Sequence, residues 1–375
     1  MEFLPLFFSI SLILYALILA LFYLGLFKKS VGDSRAQPFV TVVIPAKNEM
    51  NNIEKILSDL TNQTYPTDLY EINVVDDEST DVTSNIVHAW IEKQSNIFLY
   101  NTSEYASDLK YKKKPLNLGI KKAKGEIILL TDADCRVPNT WIESMVSYFE
   151  PTIGLVVGYS EVSPTTTRLQ EIEALDFLIL LTAARGAVTQ NIPFACTGQN
   201  LAYRKKAFED VGGFSSFAHA LGGDDNLLMQ QIKKSPRWNI VFAYDHAGFV
   251  SSPPQSNFRG FISQRSRWAS DTFVIKNDDP LFFGIIVITF FVNFLPLAIT
   301  LNLLWSPFLL VPLIKGLAFK FLCEGIVMLR GTQVFDKKEL RRIFPLWFIF
   351  QIPYVTLMGF MSFRGKRLSW GGRQT

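Results

Sequence analysis

A short apolar stretch that ends in two acidic residues places the strongest constraint on the fold of this chain. Ile127 to Leu130 are apolar, and Asp132 and Asp134 follow after a single threonine. Such a run predicts a fully buried strand. In open α/β sheets, ligands bind beyond the carboxyl ends of the strands. Asp-x-Asp at that point suggests a metal ion that holds a diphosphate, and the alternative is an ordinary turn.

The apolar residues are concentrated towards the two ends of the chain. Hydrophobic residues make up 49% of the 375 residues, and the mean hydropathy is +0.19. Phe3 to Phe27 carries no charge and is long enough to cross a bilayer core of about 30 Å. A cleaved signal peptide is the alternative, but the segment lacks a basic start and a clear cleavage site. We therefore predict a retained N-terminal transmembrane anchor.

A second membrane region is predicted near the C-terminus. Leu281 to Trp305 and Pro345 to Phe363 can each span a bilayer. Phe308 to Leu329 is ambiguous because it contains charged residues, which are costly in a membrane unless they are paired or line a cavity. Lys320 and Glu324 are spaced i, i+4, so either they pair or the segment lies flat.

Basic residues beside the membrane segments predict the orientation. Lys28, Lys29 and Arg35 follow the first segment, so the positive-inside rule places the middle of the chain in the cytoplasm. Basic clusters at 337–342 and 364–367 flank the last span on both sides, so the rule leaves the side of the C-terminus open. The formal net charge of +3 is too small to indicate nucleic acid, and the partner that the sequence indicates is a membrane.

Strands and helices alternate in the middle of the chain. This alternation predicts an α/β fold with a parallel sheet and right-handed crossovers. The chain lacks the glycine motifs of P-loop and dinucleotide-binding proteins. The predicted strands are Phe39 to Pro45, Glu71 to Val75, Ile97 to Tyr100 and Glu126 to Thr131, and the predicted helices include Asn51 to Gln63 and Leu116 to Lys124.

The second predicted strand also ends in acidic residues, Asp76 and Asp77. Two strand ends therefore offer carboxylates at one edge of the sheet, which favours a nucleotide site. A basic run lies between these acidic sites, with Lys110, Lys112, Lys113 and Lys114. Such a run is either a solvated face or the source of a lysine that neutralises a diphosphate.

Downstream, glycines and acids precede a short helix. Gly198, in Thr197-Gly198-Gln199-Asn200, implies a backbone that something approaches closely. Gly222-Gly223-Asp224-Asp225 opens a helix from Asn226 to Lys233. A carboxylate at a helix N-terminus is stabilised as the anion, so we expect Asp225 to stay ionised and able to accept a proton. The alternative is that Asp225 is only an N-cap.

Leu169 to Val188 predicts an apolar helix that lies under the sheet or at the membrane surface. Ser256 to Ala269 predicts an amphipathic helix of a different kind. Its apolar stripe includes Phe258 and Phe261, and the helix also carries arginines, as in helices that lie in the membrane interface. A purely structural stripe is the competing interpretation. Gln264, Arg267 and Trp268 are spaced i, i+3, i+4, so their side chains can meet on one surface.

Taken together, the motifs resemble glycosyltransferase family 2, the inverting enzymes with a GT-A fold. The resemblance covers about Val40 to Ala269, and five motifs occur in the order that the family has them. They are Val43-Ile44-Pro45-Ala46-Lys47-Asn48-Glu49, Val74-Val75-Asp76-Asp77-Glu78-Ser79-Thr80-Asp81, Asp132-Ala133-Asp134, Gly223-Asp224-Asp225 and Gln264-Arg265-Ser266-Arg267-Trp268.

The resemblance implies a role for each matching residue, together with Mg²⁺ or Mn²⁺ as the cofactor. The family's usual Glu-Asp pair is Asp224-Asp225 here, so both acids are candidates for catalysis, with Asp225 as the general base. The implied donor-binding residues are Pro45, Glu49, Asp77, Asp132 and Arg267, and the basic run adds Lys114 as a candidate. The implied acceptor-binding residues are Gln264 and Trp268, and the glycine pattern adds Gly198. The implied metal ligands are Asp134 and Asp132.

We therefore predict a multi-pass protein of the inner cell membrane with a GT-A nucleotide-diphospho-sugar transferase domain in the cytoplasm. It would move sugar from a nucleotide-sugar donor, expected to be a UDP-sugar, to a lipid-linked or glycan acceptor. The alternatives are a processive polysaccharide synthase and an inactive family member that acts as a binding subunit. The predicted regions are an anchor at 1–29, a GT-A domain at 36–278 that includes the interfacial helix 256–269, and a membrane region at 279–375 with two or three spans.

Overall fold

The computed structural model describes residues 3–28, 32–218, 220, 223–270, 276 and 279–363. Lys29, Gly222 and the basic cluster 364–367, which enter the predictions above, lie outside the described residues. The chain divides into two compact units. The sheet unit comprises Lys29–Pro164 and Asn191–Pro254, and the helical unit comprises Met1–Lys28, Thr165–Gln190 and Gln255–Leu368.

The order of helices and strands follows the predicted alternation. In chain order they are α1 (Phe3–Gly25), β1 (Val40–Ala46), α2 (Ile53–Thr61), β2 (Tyr70–Asp76), α3 (Thr83–Ile91), β3 (Ile97–Asn101), α4 (Lys113–Lys122), β4 (Ile127–Leu130), α5 (Trp141–Val146), β5 (Ile153–Gly158), β6 (Ser160–Val162), α6 (Arg168–Val188), β7 (Leu201–Arg204), α7 (Lys205–Asp210), α8 (Asn226–Lys234), β8 (Asn239–Ala243), β9 (Val250–Ser252), α9 (Phe258–Ser270), α10 (Pro280–Asn302), α11 (Leu310–Val334) and α12 (Phe344–Phe363).

The sheet unit is built on a seven-stranded sheet with the order β3-β2-β1-β4-β7-β5-β8. Neighbouring strands run parallel except at β7, which is antiparallel to β4 and β5. This confirms the predicted mostly parallel sheet. Every residue of β1, β2 and β4 is buried, as expected for parallel strands covered on both faces. Because β1, β2 and β4 are parallel, their carboxyl ends lie at one edge.

Local sequence patterns explain two of the helices in the sheet unit, α2 and α4. Helix α2 has apolar residues at i, i+3, i+4 and i+7, and this face is buried at Ile53, Ile56, Leu57 and Leu60. Helix α4 begins earlier than predicted, because Pro115 lies in its first turn, where a missing N–H costs little. The early start extends the helix into the basic run that precedes Leu116.

Among its described residues, the helical unit has three segments that are long and apolar enough to cross a membrane, Phe3–Gly25, Pro280–Asn302 and Lys338–Ser362. The ambiguous charged segment forms α11. There the Lys320 Nζ lies 2.8 Å from the Glu324 Oε1, and both side chains are buried. The predicted pair of Lys320 and Glu324 is therefore found.

Helix α9 corrects one interpretation of the amphipathic stripe. Phe258 is 51% exposed, but Phe261 is fully buried and its ring packs against Phe350 and Tyr354 of α12. The interfacial interpretation is therefore wrong for Phe261, which belongs to the core of the helical unit. The spacing of apolar residues cannot distinguish lipid from a neighbouring helix, because both select the same stripe.

Candidate active site

The acidic residues predicted to follow β2 have separate partners. Asp76 accepts hydrogen bonds from the Ser79 N–H at 3.0 Å and the Ser84 hydroxyl at 2.6 Å, so it closes the loop after the strand. Asp77 is buried, and its Oδ1 accepts from the Thr102 hydroxyl at 2.8 Å. Its Oδ2 lies 3.9 Å from the Lys47 Nζ and accepts no hydrogen bond from the described residues. A buried carboxylate oxygen without a donor suits a ligand that brings an N–H or O–H group.

Two other predicted donor-binding residues lie in β1, whose end contacts Asp77, and in the loop after β1. Its backbone N–H donates to the Ala46 carbonyl at 2.8 Å. Pro45 precedes Ala46 and is paired in register with Val75 of β2. Glu49 accepts from the Asn52 side chain at 2.9 Å, and burial raises the pKa of its carboxyl.

A lysine joins the carboxylates that follow β4 to those that precede α8. The Lys112 Nζ lies 2.6 Å from the Asp132 Oδ1 and 4.0 Å from the Asp224 Oδ2. Burial alone would lower the pKa of Lys112, but the charges of Asp132 and Asp224 outweigh burial and raise it. Lys112 is therefore a permanent cation within an acidic cluster.

Sequence reasoning selected Lys114 from the basic run, whereas the structure places Lys112 against the acids. Lys114 forms no ion pair with the rest of the described chain. Lys112 lies directly before the first residue of α4. The sequence prediction missed it because it started this helix at Leu116. The start of that helix depends on Pro115, which the prediction placed outside it.

Asp225 is held by two backbone N–H groups. Its Oδ2 accepts from Gly198 at 2.9 Å, and its Oδ1 accepts from Asn226 at 2.6 Å, where it caps α8. Burial, with the charge of Asp224, raises the pKa of Asp225 to about 7. Burial beside a like charge therefore acts against the effect of the helix terminus, and the ionised state of Asp225 as proton acceptor stays a prediction. A group that titrates near neutrality suits proton transfer near pH 7.

Gly198 packs closely against this cluster. A Cβ atom at this position would lie 3.3 Å from the Lys112 Nζ and 3.7 Å from the Asp225 Oδ2. The predicted close approach is therefore found, and the approaching groups are the side chains of Lys112 and Asp225. The backbone N–H of Gly198 is used by Asp225.

Asp134 is the second carboxyl group with a strongly raised pKa. Burial, with the charges of Asp132 and Glu49, raises the pKa of Asp134 to about 7. Asp134 forms no salt bridge within the part of the chain that the structure describes. That part also holds no cluster of three or more metal-ligating side chains. A cation at this point would therefore depend on Asp132 and Asp134 and on ligand oxygens.

The other predicted ligand-binding residues lie on α9 in the helical unit. The Gln264 Oε1 accepts a hydrogen bond from the Arg265 Nη1 at 2.8 Å. Trp268 is 44% exposed, and its ring centroid lies 5.9 Å from that of Phe177. Burial lowers the pKa of Arg267. The spacing i, i+3, i+4 places Gln264, Arg267 and Trp268 on neighbouring positions of one side of the helix.

Comparison with known proteins identifies the family. The model described as "Glycosyl transferase family 2" matches residues 41–212. The model described as "Glycosyl transferase family group 2" matches residues 127–362, more than half of the chain. The chain belongs to glycosyltransferase family 2. It is therefore a glycosyltransferase of the nucleotide-sugar class.

Individual relatives agree with this assignment. The chain is 28% identical to glycosyltransferase AglE of Haloferax volcanii over 64% of this chain and 77% of AglE. It is 29% identical to the probable glycosyltransferase YdaM of Bacillus subtilis over 62% of this chain and 54% of YdaM. Among solved structures, the mannosyltransferase PcManGT of Pyrobaculum calidifontis, in complex with GDP-Man and Mn²⁺, aligns over 96% of this chain and 98% of that chain, with a TM-score of 0.61 and 21% identity. This likeness confirms the GT-A fold.

Proposed function

We propose that this chain is a membrane-bound, metal-dependent, inverting glycosyltransferase. It transfers a sugar from a nucleotide-sugar donor to a lipid-linked or glycan acceptor at the cytoplasmic face of the membrane. The observation that carries the proposal is the acidic cluster at the carboxyl edge of the sheet, where Asp225, with a pKa of about 7, lies among Asp224, Lys112 and Gly198.

The proposed binding of the nucleotide-sugar donor rests first on a buried oxygen that accepts no hydrogen bond from the described residues. The unsatisfied Asp77 Oδ2 suits an N–H or O–H of a nucleoside. Pro45 belongs to β1, which pairs with the strand before Asp77, and Glu49 belongs to the loop after β1. Lys112 supplies positive charge for a diphosphate, a role that the sequence assigned to Lys114. Arg267 is proposed to add to this charge on the donor.

The residues present suit a hard divalent cation. Asp134 and Asp132 are oxygen ligands, and Mg²⁺ commonly binds through one or two carboxylates plus substrate phosphates. The raised pKa of Asp134 marks an excess of negative charge that a cation would relieve. When bound, Mg²⁺ or Mn²⁺ would neutralise charge on the departing diphosphate. The complex of PcManGT with Mn²⁺ supports this assignment.

The proposed reaction is a single displacement at the anomeric carbon. The acceptor hydroxyl oxygen forms a bond to that carbon as the bond to the diphosphate oxygen breaks, and the electron pair leaves with the nucleoside diphosphate. The Asp225 carboxylate takes the proton of the hydroxyl. Attack from the face opposite the leaving group inverts the anomeric configuration. On α9, Trp268 offers a flat surface for a sugar ring, and Gln264 offers a polar contact.

The membrane location rests on the three long apolar helices. Lys28 follows the first of them, and by the positive-inside rule it favours a cytoplasmic sheet unit. We propose the division into an anchor, a GT-A domain and a C-terminal membrane region on the same grounds.

A panel of nucleotide sugars tests the proposal. Membranes that contain the protein would be supplied with each UDP- and GDP-sugar in turn, and the product would be extracted, sized and its anomeric configuration determined. Membranes with Asp225→Asn, which keeps the shape and the helix cap, are the matched control. We expect transfer from one donor class, with inversion, in the wild type alone. Retained configuration, or equal products in both membranes, would contradict the proposal.

A further inference from the structure

Arg265 lies inside the Gln-x-x-Arg-Trp motif but is not one of its defining residues. It is only 5% exposed, although the sequence pattern placed it among the basic residues of an amphipathic helix. Its Nη1 donates to the Gln264 Oε1 at 2.8 Å, and its guanidinium lies 4.2 Å from the centroid of the Trp268 ring. One buried arginine thus contacts both the glutamine and the tryptophan of the motif.

Arg265 is itself held by Asp176 of α6. Its Nε donates to the Asp176 Oδ2 at 3.0 Å, and its Nη2 lies 2.7 Å from the same oxygen. The Asp176 Oδ1 accepts from the Trp347 Nε1 at 3.1 Å and from the Tyr354 hydroxyl. Asp176 is buried, so side chains from α9 and α12 satisfy a carboxylate on α6. Such a network fixes the position of the guanidinium.

This contact fixes the orientation of the Gln264 amide. A guanidinium has five N–H donors and no acceptor. The atom of Gln264 that faces Arg265 must therefore be the carbonyl oxygen, whichever way the amide is drawn. The NH₂ group then points away from Arg265, and it donates to no other group of the described residues.

We propose that Asp176 and Arg265 are positioning residues that fix the Gln264 amide with its NH₂ group towards the substrate. The Gln264 NH₂ group then donates a hydrogen bond to a substrate oxygen. Both a diphosphate and a sugar hydroxyl carry an oxygen that can accept this bond. The Arg265 guanidinium also lies against the Trp268 ring. This inference rests on the proposed function, because it assumes that Gln264 and Trp268 contact the donor or the acceptor.

Gln264→Glu tests the polarity of the amide. A carboxylate still accepts from Arg265, with a stronger charge-assisted bond, but it has no donor. We expect the KM for donor or acceptor to rise by about 10- to 100-fold, because a hydrogen bond to a charged or polar substrate group is lost. Saturation kinetics with the donor found by the panel, and UDP and GDP as binding probes, measure this. An unchanged KM for both substrates would show that Gln264 only accepts from Arg265, and would overturn the inference.

A double-mutant cycle tests whether Arg265 acts through Gln264. Arg265→Lys keeps a cation for Asp176 but loses the fork that reaches Gln264. We expect this change to raise the same KM about 10-fold in the wild-type background, and to have little effect when Gln264→Leu is already present. Equal effects in both backgrounds would contradict the inference.

Two controls separate positioning from folding. Trp347→Phe removes one donor to Asp176 but leaves the Arg265 contact, so we expect its KM to stay within about twofold of wild type. Elution of each variant from a sizing column in detergent reports whether it is folded. A wild type that uses no donor in the panel would contradict the proposed function, whereas an active wild type with a normal Gln264→Glu variant would contradict only this inference.

Discussion

The buried carboxylates Glu324 and Asp176 of the helical unit and those of the acidic cluster in the sheet unit are held in opposite ways. In the helical unit, Glu324 accepts from the Lys320 ammonium at 2.8 Å, the Tyr15 hydroxyl at 2.8 Å and the Gln351 amide at 2.6 Å. Asp176 is likewise satisfied by donors from two other helices. In the sheet unit, Asp134 and Asp225 lie next to other acids, and their pKa values rise to about 7.

We propose that this difference separates charges that support the architecture from charges that take part in the reaction. A buried acid with a full set of donors holds helices in one arrangement, and removing a partner is strongly destabilising. A cluster of acids with one lysine stores electrostatic free energy that a cation, a proton or a substrate can release. We therefore expect substitutions in the helical unit to affect folding first, and substitutions in the acidic cluster to affect activity first.

The largest expected effect is that of Asp225→Asn on the rate of transfer. Asparagine caps α8 as well as aspartate does but accepts no proton, so transfer should fall about 10²- to 10⁴-fold while donor affinity barely changes. In the wild type, the rate should rise about tenfold per pH unit below pH 7 and level off above it, because the Asp225 pKa is about 7. Single-turnover rates from pH 5.5 to 8.5 measure both.

Asp134→Asn and Asp224→Asn are the matched variants for this test. Asp134→Asn should weaken donor and metal binding together, because it removes a charged ligand, and chelation of the wild type should lower transfer about 10²- to 10³-fold. Near-normal transfer by Asp225→Asn, with a large loss in Asp224→Asn, would move the base to Asp224. Full turnover in excess chelator would contradict the metal assignment.

A similarly large effect on folding is expected from Glu324→Leu. This change leaves the Lys320 ammonium buried without its partner, which should cost about 3–5 kcal/mol in the free energy of unfolding. Lys320→Met combined with Glu324→Leu removes both charges and should recover most of the loss. Unfolding of detergent-solubilised protein, followed by intrinsic fluorescence, measures these differences. If both variants were equally unstable, shape rather than charge pairing would explain the effect.

A smaller effect of opposite sign is expected for Asp134→Asn in metal-free protein. The folded-state pKa of Asp134 is raised from an ordinary value near 3.8 to about 7, so ionisation destabilises the folded state as the pH rises through 7. The asparagine variant should therefore be more stable than wild type at pH 8, by about 1 kcal/mol after solvent screening. The difference should vanish by pH 4. A gap that widens at low pH would contradict the raised pKa.

Much of the sheet unit follows from the sequence because its signals are local. The strands β1, β2 and β4 are each visible as an apolar run, and the acids that follow β2 and β4 are next to those runs in the chain. A parallel sheet brings such strand ends to one edge. The sequence does not predict that Lys112, rather than Lys114, contacts the acids, because this contact depends on where α4 begins. The role of Arg265 does not follow either, because its partner Asp176 is 89 residues away in the chain.

The smallest expected effect is that of Phe258→Ser on α9. Phe258 is half exposed within the described chain, whereas Phe261 on the next turn is fully buried. Phe258→Ser should therefore change the free energy of unfolding by less than about 0.5 kcal/mol, whereas Phe261→Ala should cost about 3–5 kcal/mol. If the exposed ring contacts the bilayer, Phe258→Ser should also lower transfer to a lipid acceptor more than hydrolysis of the donor. Thermal unfolding and paired transfer and hydrolysis assays measure these effects, and equal destabilisation by the two variants would show that both phenylalanines are core residues.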